Sequence, residues 1–240
     1  MDEHYLALVT GAAHRLGRIF ALTLAKRGYA ILLHYQHSVV AANSTADEIR
    51  ALGVPVFPVE ADLTDAGQIQ SLFSTVDSLN LRLKVLVNSA ARMSRANLRN
   101  VSVEDWDATL ALNLRAPLLL AQQAAERMVE GSLIINISDA GVGGNWSGFP
   151  AYMVSKSGLE TLTRLQAKMY APNIRVDAIA PGLALRSSEI AAAEWEKLVM
   201  RLPLKHPVSM EELAGALDFI LDNESITGQT IFVDGGYSLT

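Results

Sequence analysis

Tyr152 and Lys156 stand four positions apart in a stretch of helical period, so their side chains share one helix face. A phenol ordinarily titrates near 10, too high for facile proton transfer at neutral pH. An ammonium one turn away, together with the positive ring of an oxidised nicotinamide, favours the phenolate and is expected to bring that value down. Such a pair recurs by chance in many helices. Its weight comes from its place, after an apolar run and a loop rich in small residues at 138–150. A second chemical feature lies at the other end of the chain. The run Thr10-Gly11-Ala12-Ala13-His14-Arg15-Leu16-Gly17 joins an apolar run to a helical segment. Glycine lets a backbone approach a pyrophosphate closely, and a helix N-terminus supplies free N–H groups and partial positive charge.

These residues need a frame. Short apolar runs at 5–9, 30–34, 54–59, 84–88, 132–138, 173–179 and 230–233 read as strands. Helical segments at 16–27, 38–52, 66–78, 103–130, 151–170 and 210–221 alternate with them. Continuously apolar strands between helices belong to a parallel sheet covered on both faces. The expected fold is α/β, a single domain over 1–240 with a Rossmann-type doubly wound parallel sheet of about seven strands. In such sheets ligands bind outside the carboxyl ends of the strands. The loops there are 10–15, 35–37, 88–95, 138–150 and 181–207, and the last, with a helical patch at 188–200, reads as a flap over the site.

The strand ends point to a dinucleotide. Sites for NAD usually offer a carboxylate to the ribose after the second strand. This chain has His34-Tyr35-Gln36-His37-Ser38 there. A 2′-phosphate would meet imidazoles, hydroxyls and a helix start, with Arg15 in reach, so NADPH/NADP+ is favoured over NADH. If His34 and Tyr35 only cap the strand, the preference weakens. Asp62, followed by Leu63, either accepts from the adenine amino group or caps the next helix. Asn88-Ser89-Ala90 puts small residues where a cofactor would press on backbone.

The chain resembles the short-chain dehydrogenases/reductases over essentially its whole length. The resemblance rests on Thr10-Gly11…Gly17, Asp62, Asn88-Ser89-Ala90, Asn113, Tyr152-Met153-Val154-Ser155-Lys156, Pro181-Gly182 and the terminal run from Thr227 to Gly236. It implies that Tyr152 protonates the substrate as a nicotinamide delivers hydride. It further implies that Lys156 binds the nicotinamide ribose and lowers the tyrosine's pKa, and that Asn113 holds a relay water. Cofactor contacts are expected from Gly11, Arg15, Leu16, Gly17, His34, Tyr35, His37, Ser38, Asp62, Leu63, Asn88, Ser89, Ala90, Lys156, Pro181 and Gly182. Members of the family are usually homotetramers or homodimers.

Two departures narrow the reading. Thirteen positions before Tyr152, where the family carries a serine, stands Asp139, with Ser138 one position early. A hydroxyl can donate to a carbonyl, whereas an ionised carboxylate only accepts. Asp139 suits a ring nitrogen that gains a proton as C=N is reduced. Arg15 replaces the family's middle glycine and can meet a phosphate or a ring oxygen. Both features resemble the pteridine reductase branch, with Arg15, Met93, Asp139 and Tyr152 expected at the substrate. Met93 stands where that branch has a stacking aromatic. Trp146, Phe149 and Trp195 either line the site or simply pack.

Composition limits the remaining classes. Twenty basic against 25 acidic residues, a net charge of −5, argue against a nucleic-acid partner. With no cysteine there is no thiolate nucleophile, and the five histidines lack metal-ligand spacing, so no metal is expected. No apolar run is long enough to cross a membrane, and the acidic start lacks signal-peptide character, so a cytoplasmic protein with a small-molecule substrate is expected. Residues 189–197 read as a solvated helix face; Arg92, Arg95 and Arg99 read as rim charges or as contacts for an anionic substrate tail. Three readings stand: an NADPH-dependent reductase of a pterin or related C=N heterocycle; a reductase of 3-oxoacyl thioesters, sugars or small ketones, with Ser138 in place of the missing serine; and a catalytically idle NADPH-binding module.

Overall fold

A computed structural model describes residues 5–144, 146–186 and 190–240 of the chain; His4 and the expected flap-helix start at 188, with Glu189, lie outside the described residues. In chain order the elements are β1 (Tyr5–Val9), α1 (Arg15–Lys26), β2 (Ala30–Tyr35), α2 (Val39–Ala51), β3 (Val56–Glu60), α3 (Ala66–Ser78), β4 (Arg82–Asn88), α4 (Val103–Leu110), α5 (Ala116–Ala125), β5 (Ser132–Ile137), α6 (Pro150–Tyr170), β6 (Ile174–Pro181), α7 (Ala192–Arg201), α8 (Met210–Asp222) and β7 (Thr230–Val233). The strands form one sheet in the order β3-β2-β1-β4-β5-β6-β7. All neighbouring pairs are parallel.

Strand alternation supplies two cores. Ala7, Val9, Val85 and Val87 face Phe20 and Leu24 of α1, Ile49 of α2 and Leu217 of α8. Leu6, Leu8 and Leu86 face Phe73 of α3, Leu120 of α5 and Ala167 of α6. Every residue of β5 is buried, while the edge strand β7 has none. The strand order reverses between β1 and β4, which opens a crevice at their carboxyl ends.

The expected helix over 103–130 is a correction. It divides into α4, a π-helical turn over Ala111–Arg115, and α5, which stops at Ala125. Pro117 explains the break: it has no N–H for the carbonyl of Asn113, and its ring crowds that carbonyl. The helix widens instead, with the Ala116 N–H bonding to Ala111 O. No helix among the described residues is long and apolar enough to cross a membrane. Among the described residues no group of three or more His, Cys, Asp or Glu side chains is placed to hold a metal ion.

Candidate active site

Helix α6 presents Tyr152, Lys156 and Glu160 at successive four-residue intervals on one face. The Tyr152 hydroxyl donates to Asp139 Oδ2 at 2.8 Å. Lys156 Nζ donates to the carbonyl of Ile137 at 2.6 Å and lies 5.6 Å from the centre of the Tyr152 ring. Both side chains are nearly inaccessible, Tyr152 at 9% and Lys156 at 3%. Burial brings the lysine down to about 8, with the Asp139 carboxylate opposing. Burial also raises Asp139 above the ordinary carboxylate range, although the Gly141 N–H and the Tyr152 hydroxyl favour its charged form.

The expected lowering of the Tyr152 pKa by Lys156 is a correction. Burial, then the charge and hydrogen bond of Asp139, push the phenol well above its usual value. The ammonium sits beside the ring and is spent on a main-chain carbonyl, while the hydroxyl faces a carboxylate. Tyr152 is therefore held as a neutral proton donor.

Strand alternation decides between Ser138 and Asp139. Asn136 and Ser138 face α6: Asn136 donates to Thr163 Oγ1 at 2.9 Å, and Ser138 Oγ donates to Glu160 Oε1 at 2.8 Å. Ser138 is 3% exposed, and its hydroxyl is committed to Glu160, with no hydrogen bond to Tyr152. Past the strand end Asp139 turns upward. Its Oδ1 accepts from the Gly141 N–H at 2.7 Å, which leaves Oδ2 for the tyrosine. Gly141 is needed: a Cβ there would lie 2.6 Å from the Trp146 indole and 3.0 Å from Asp139 Oδ1.

The π turn aims Asn113 at the loop after β4. Its Nδ2 donates to Arg92 O at 2.9 Å and to Ser155 Oγ at 3.1 Å, and its Oδ1 accepts from the Arg92 N–H at 2.9 Å. Both amide N–H groups are thus used, one on that loop and one on Ser155, while Oδ1 also holds the loop. The fixed loop brings Met93 into a cluster with Trp146, Phe149, Tyr152 and Met153. Trp146 meets Phe149 edge-on at 6.1 Å and Tyr237 edge-on at 5.5 Å. Trp195 is not part of this cluster; α7, which carries it, has no buried residue.

The other half of the crevice fits a dinucleotide. A Cβ on Gly17 would lie 2.2 Å from the Gly11 carbonyl oxygen, and one on Gly11 (φ +64°) would lie 3.0 Å from Ala90 Cα. Both contacts are with backbone, so the two glycines let the turn, the start of α1 and the β4 loop pack closer than any side chain would allow. Helix α1 starts behind this turn with no side-chain cap at His14, so no capping side chain takes its first N–H groups. Thr10 Oγ1 accepts from the N–H groups of Ser89 and Ala90 at 2.9 and 3.0 Å, locking the β4 loop to the turn. Asn88 is buried and donates to Asn136 Oδ1 at 2.8 Å, which joins β4 to β5. Pro181 is buried at the end of β6, and Gly182 has no room for a Cβ, which would lie 2.6 Å from Asp234 Cα.

His34 is the clearest correction at this end. Its Nδ1 accepts from the Gly11 N–H at 3.1 Å, and its Nε2 reaches Ala61 O at 3.0 Å. Burial brings it down to about 4, so it is a neutral staple from β2 to the loops after β1 and β3 and has no nitrogen free for a phosphate. Leu63 is likewise buried in the core, leaving only its backbone near the crevice. Tyr35 and Leu16 are half-buried against the first core. His37 is exposed and Ser38 half-buried, and Ser38 starts α2 without a side-chain cap. Asp62 folds over its own turn, Oδ1 accepting from Thr64 N–H and Oγ1 at 2.8 and 2.7 Å. Those hydrogen bonds, with His37 and Gln36 nearby, hold its carboxyl below the usual range. The helix cap is Asp65, not Asp62.

Arg15 adopts φ +55°, the left-handed conformation that glycine meets without strain. Its guanidinium donates to Leu185 O at 3.2 Å and so reaches the flap. Tyr237 was invisible to sequence reasoning. Asp234 Oδ1 accepts from the Gly236 N–H at 2.9 Å, and Gly235 and Gly236 at φ +62° and +86° reverse the chain after β7. This returns Tyr237 to Trp146, where burial and the Asp139 charge push its hydroxyl up to about 12. The Asp-Gly-Gly turn was the only available signal.

Similarity to known proteins agrees with this architecture. Residues 11–238 match the family model described as enoyl-(acyl carrier protein) reductase. The chain is 33% identical over 238 residues to the 3-oxoacyl-[acyl-carrier-protein] reductase FabG of Staphylococcus aureus, covering 96% of each. It is 31% identical to 1-cyclohexenylcarbonyl-CoA reductase of Streptomyces collinus, covering 99% of this chain and 88% of that one. The structure of FolM alternative dihydrofolate reductase 1 from Brucella canis, complexed with NADP, superposes with a TM-score of 0.93 at 31% identity, covering 100% of this chain and 96% of that one. With its Tyr–Lys helix, glycine cradle and seven-stranded sheet, the chain belongs to the short-chain dehydrogenase/reductase family.

Proposed function

We propose that the protein is an NADPH-dependent reductase of a pterin or a related C=N heterocycle. The observation that carries this reading is the 2.8 Å hydrogen bond from Tyr152 to Asp139, with Ser138 held away by Glu160. The turn of Gly11 and Gly17, the N-terminus of α1, and the polar residues His37 and Ser38 would hold NADPH, which would supply a hydride for the ring carbon. The ring nitrogen then needs a proton, and the Asp139–Tyr152 pair holds one between two oxygens. Asp139 Oδ1 is pinned to Gly141, which leaves Oδ2 to Tyr152; once the shared proton has passed to the ring nitrogen, the pair must take up another from solvent. Lys156 stays beside the tyrosine ring as a buried donor. Trp146 and Phe149 with Met93 make an aromatic and thioether wall suited to a flat ring, and they supply the stacking that Met93 alone lacks. The similarity to FolM in complex with NADP supports both the cofactor and the substrate class.

The FabG similarity favours a second reading, reduction of a 3-oxoacyl thioester. A carbonyl oxygen asks for donors, so that reading requires Asp139 to be protonated. NADPH oxidation is to be followed with dihydropterins, quinonoid pterins, dihydrofolate, acetoacetyl-CoA and simple ketones, and repeated with NADH. Turnover of the pterins with NADPH supports the proposal; turnover of carbonyl compounds alone replaces it with the second reading. A homodimer or homotetramer is part of the same proposal. Leu118 of α5 with Val154 and Leu165 of α6 are exposed apolar side chains of the kind a second copy would cover.

A further inference from the structure

Arg95 sits one side chain away from the reacting tyrosine. Its guanidinium lies 5.4 Å from the centre of the Phe149 ring, and Phe149 packs in the Met93–Trp146–Tyr152 cluster. Arg92, by contrast, is committed to Asp105 at 2.6 Å. Beyond Phe149 lies a polar recess of about 590 Å³ lined by Arg95, Ala96, Asn97, Asn100, Ser147 and Gly148. Its floor is fixed by the hydrogen bond from Ala96 N–H to Gly148 O at 2.9 Å. A substrate whose reacting ring lies at Tyr152 would have to extend past Phe149 to reach that guanidinium.

That guanidinium already holds a carboxylate. Arg95 pairs with Glu194 of α7 at 3.2 Å, and both side chains are about half exposed, 50% and 47%. An ion pair so exposed is weakly held and readily exchanged. Helix α7 buries no residue, so little else fixes Glu194 in place. The carboxylate occupies the position that an anion on a ligand would take.

We propose that Arg95 recognises an anionic group on the tail of the substrate, and that Glu194 is its internal competitor. The inference rests on the reductase reading above. Carboxylates of a folate-type tail and phosphates of a pantetheine-type thioester share the required chemistry, and the test separates them. The readout is the ratio of kcat/KM for a substrate with an anionic tail to that for its uncharged counterpart. Dihydrofolate against dihydrobiopterin is the first pair. Arg95→Met is expected to lower that ratio about tenfold, through KM, as the loss of one charge-assisted contact. Arg95→Lys should recover part of the loss, Glu194→Gln should raise the ratio about twofold, and added salt should lower it in the unaltered enzyme. A ratio unmoved by both Arg95→Met and Glu194→Gln overturns the proposal. If neither pterin turns over, the pterin reading has failed but Arg95 is still tested, with acetoacetyl-CoA against ethyl acetoacetate. A tenfold fall there in Arg95→Met identifies a phosphate-bearing tail, and an unmoved ratio again overturns the proposal.

Discussion

Tyr152 donates its proton toward Asp139 across 2.8 Å, while the hydroxyl of Ser138, the residue before Asp139, points the other way into Glu160. A phenol hydrogen-bonded to a carboxylate can be reprotonated through that partner only after the carboxylate has itself taken a proton from solvent. It differs from a phenol poised beside a serine hydroxyl.

Replacing Asp139 with Ser should therefore separate the two chemistries. A reductase of C=N rings is expected to lose about a hundredfold in kcat, within the range for a lost general acid. A ketone reductase is expected to keep or gain activity, because the new hydroxyl donates to a carbonyl. Tyr152→Phe should cost at least as much as Asp139→Ser on either substrate. Undiminished turnover of the true substrate by Tyr152→Phe would remove the tyrosine from the chemistry.

The pH profile should carry a limb from Lys156, whose burial sets its value at about 8. Above that pH the ammonium beside Tyr152 is lost, and kcat/KM should fall with the slope of a single ionisation. The Asp139 charge raises the lysine, so removing it with Asp139→Asn must move the limb to lower pH. A limb that stays in place, or moves upward, would mean that another group controls it.

His34 predicts a separate, structural pH dependence. Its folded value, about 4, lies below the ordinary 6.5, so on acidification the unfolded chain takes the proton first. The stability it contributes is full above about 6.5 and is lost as pH falls toward 4. At about 1.4 kcal/mol per pKa unit, the loss over that window is roughly 3 kcal/mol. Denaturant titrations from pH 7 to 4 should show this slope, and His34→Gln should flatten it while lowering stability at pH 7 by about 1–3 kcal/mol for the disturbed Gly11 and Ala61 contacts. A variant that keeps the slope would assign it to other groups.

The frame was readable because buried parallel strands leave uninterrupted apolar runs and the helices between them keep their period. The Tyr152–Lys156 face was readable for the same reason. What failed depended on partners distant in sequence. The rise in the tyrosine comes from burial and Asp139, and His34 loses its ligand role because Gly11 and Ala61 take both its nitrogens. Tyr237 comes 85 positions after Tyr152 and reaches the site only through the Gly235-Gly236 reversal. The break at Pro117 and the facing of Ser138 were legible in principle: a missing N–H and a two-residue alternation suffice.

The glycine cradle gives the last prediction. Gly17→Ala would place a Cβ 2.2 Å from the Gly11 carbonyl oxygen and 2.7 Å from its carbon, both backbone atoms that cannot swing aside. The turn must deform, at a cost of roughly 1–3 kcal/mol for overpacking. The deformation falls on the strand–helix junction that would carry the pyrophosphate, so NADPH affinity should drop at least about tenfold with it. Gly215 in α8 supplies the control, since a Cβ there meets nothing within 4 Å and the position is exposed. Gly215→Ala should raise stability by about 0.5–1 kcal/mol through helix propensity and leave NADPH affinity alone. Thermal melts with and without NADPH read both effects. Equal cofactor affinity in the two variants would place the pyrophosphate somewhere other than between Gly11 and the N-terminus of α1.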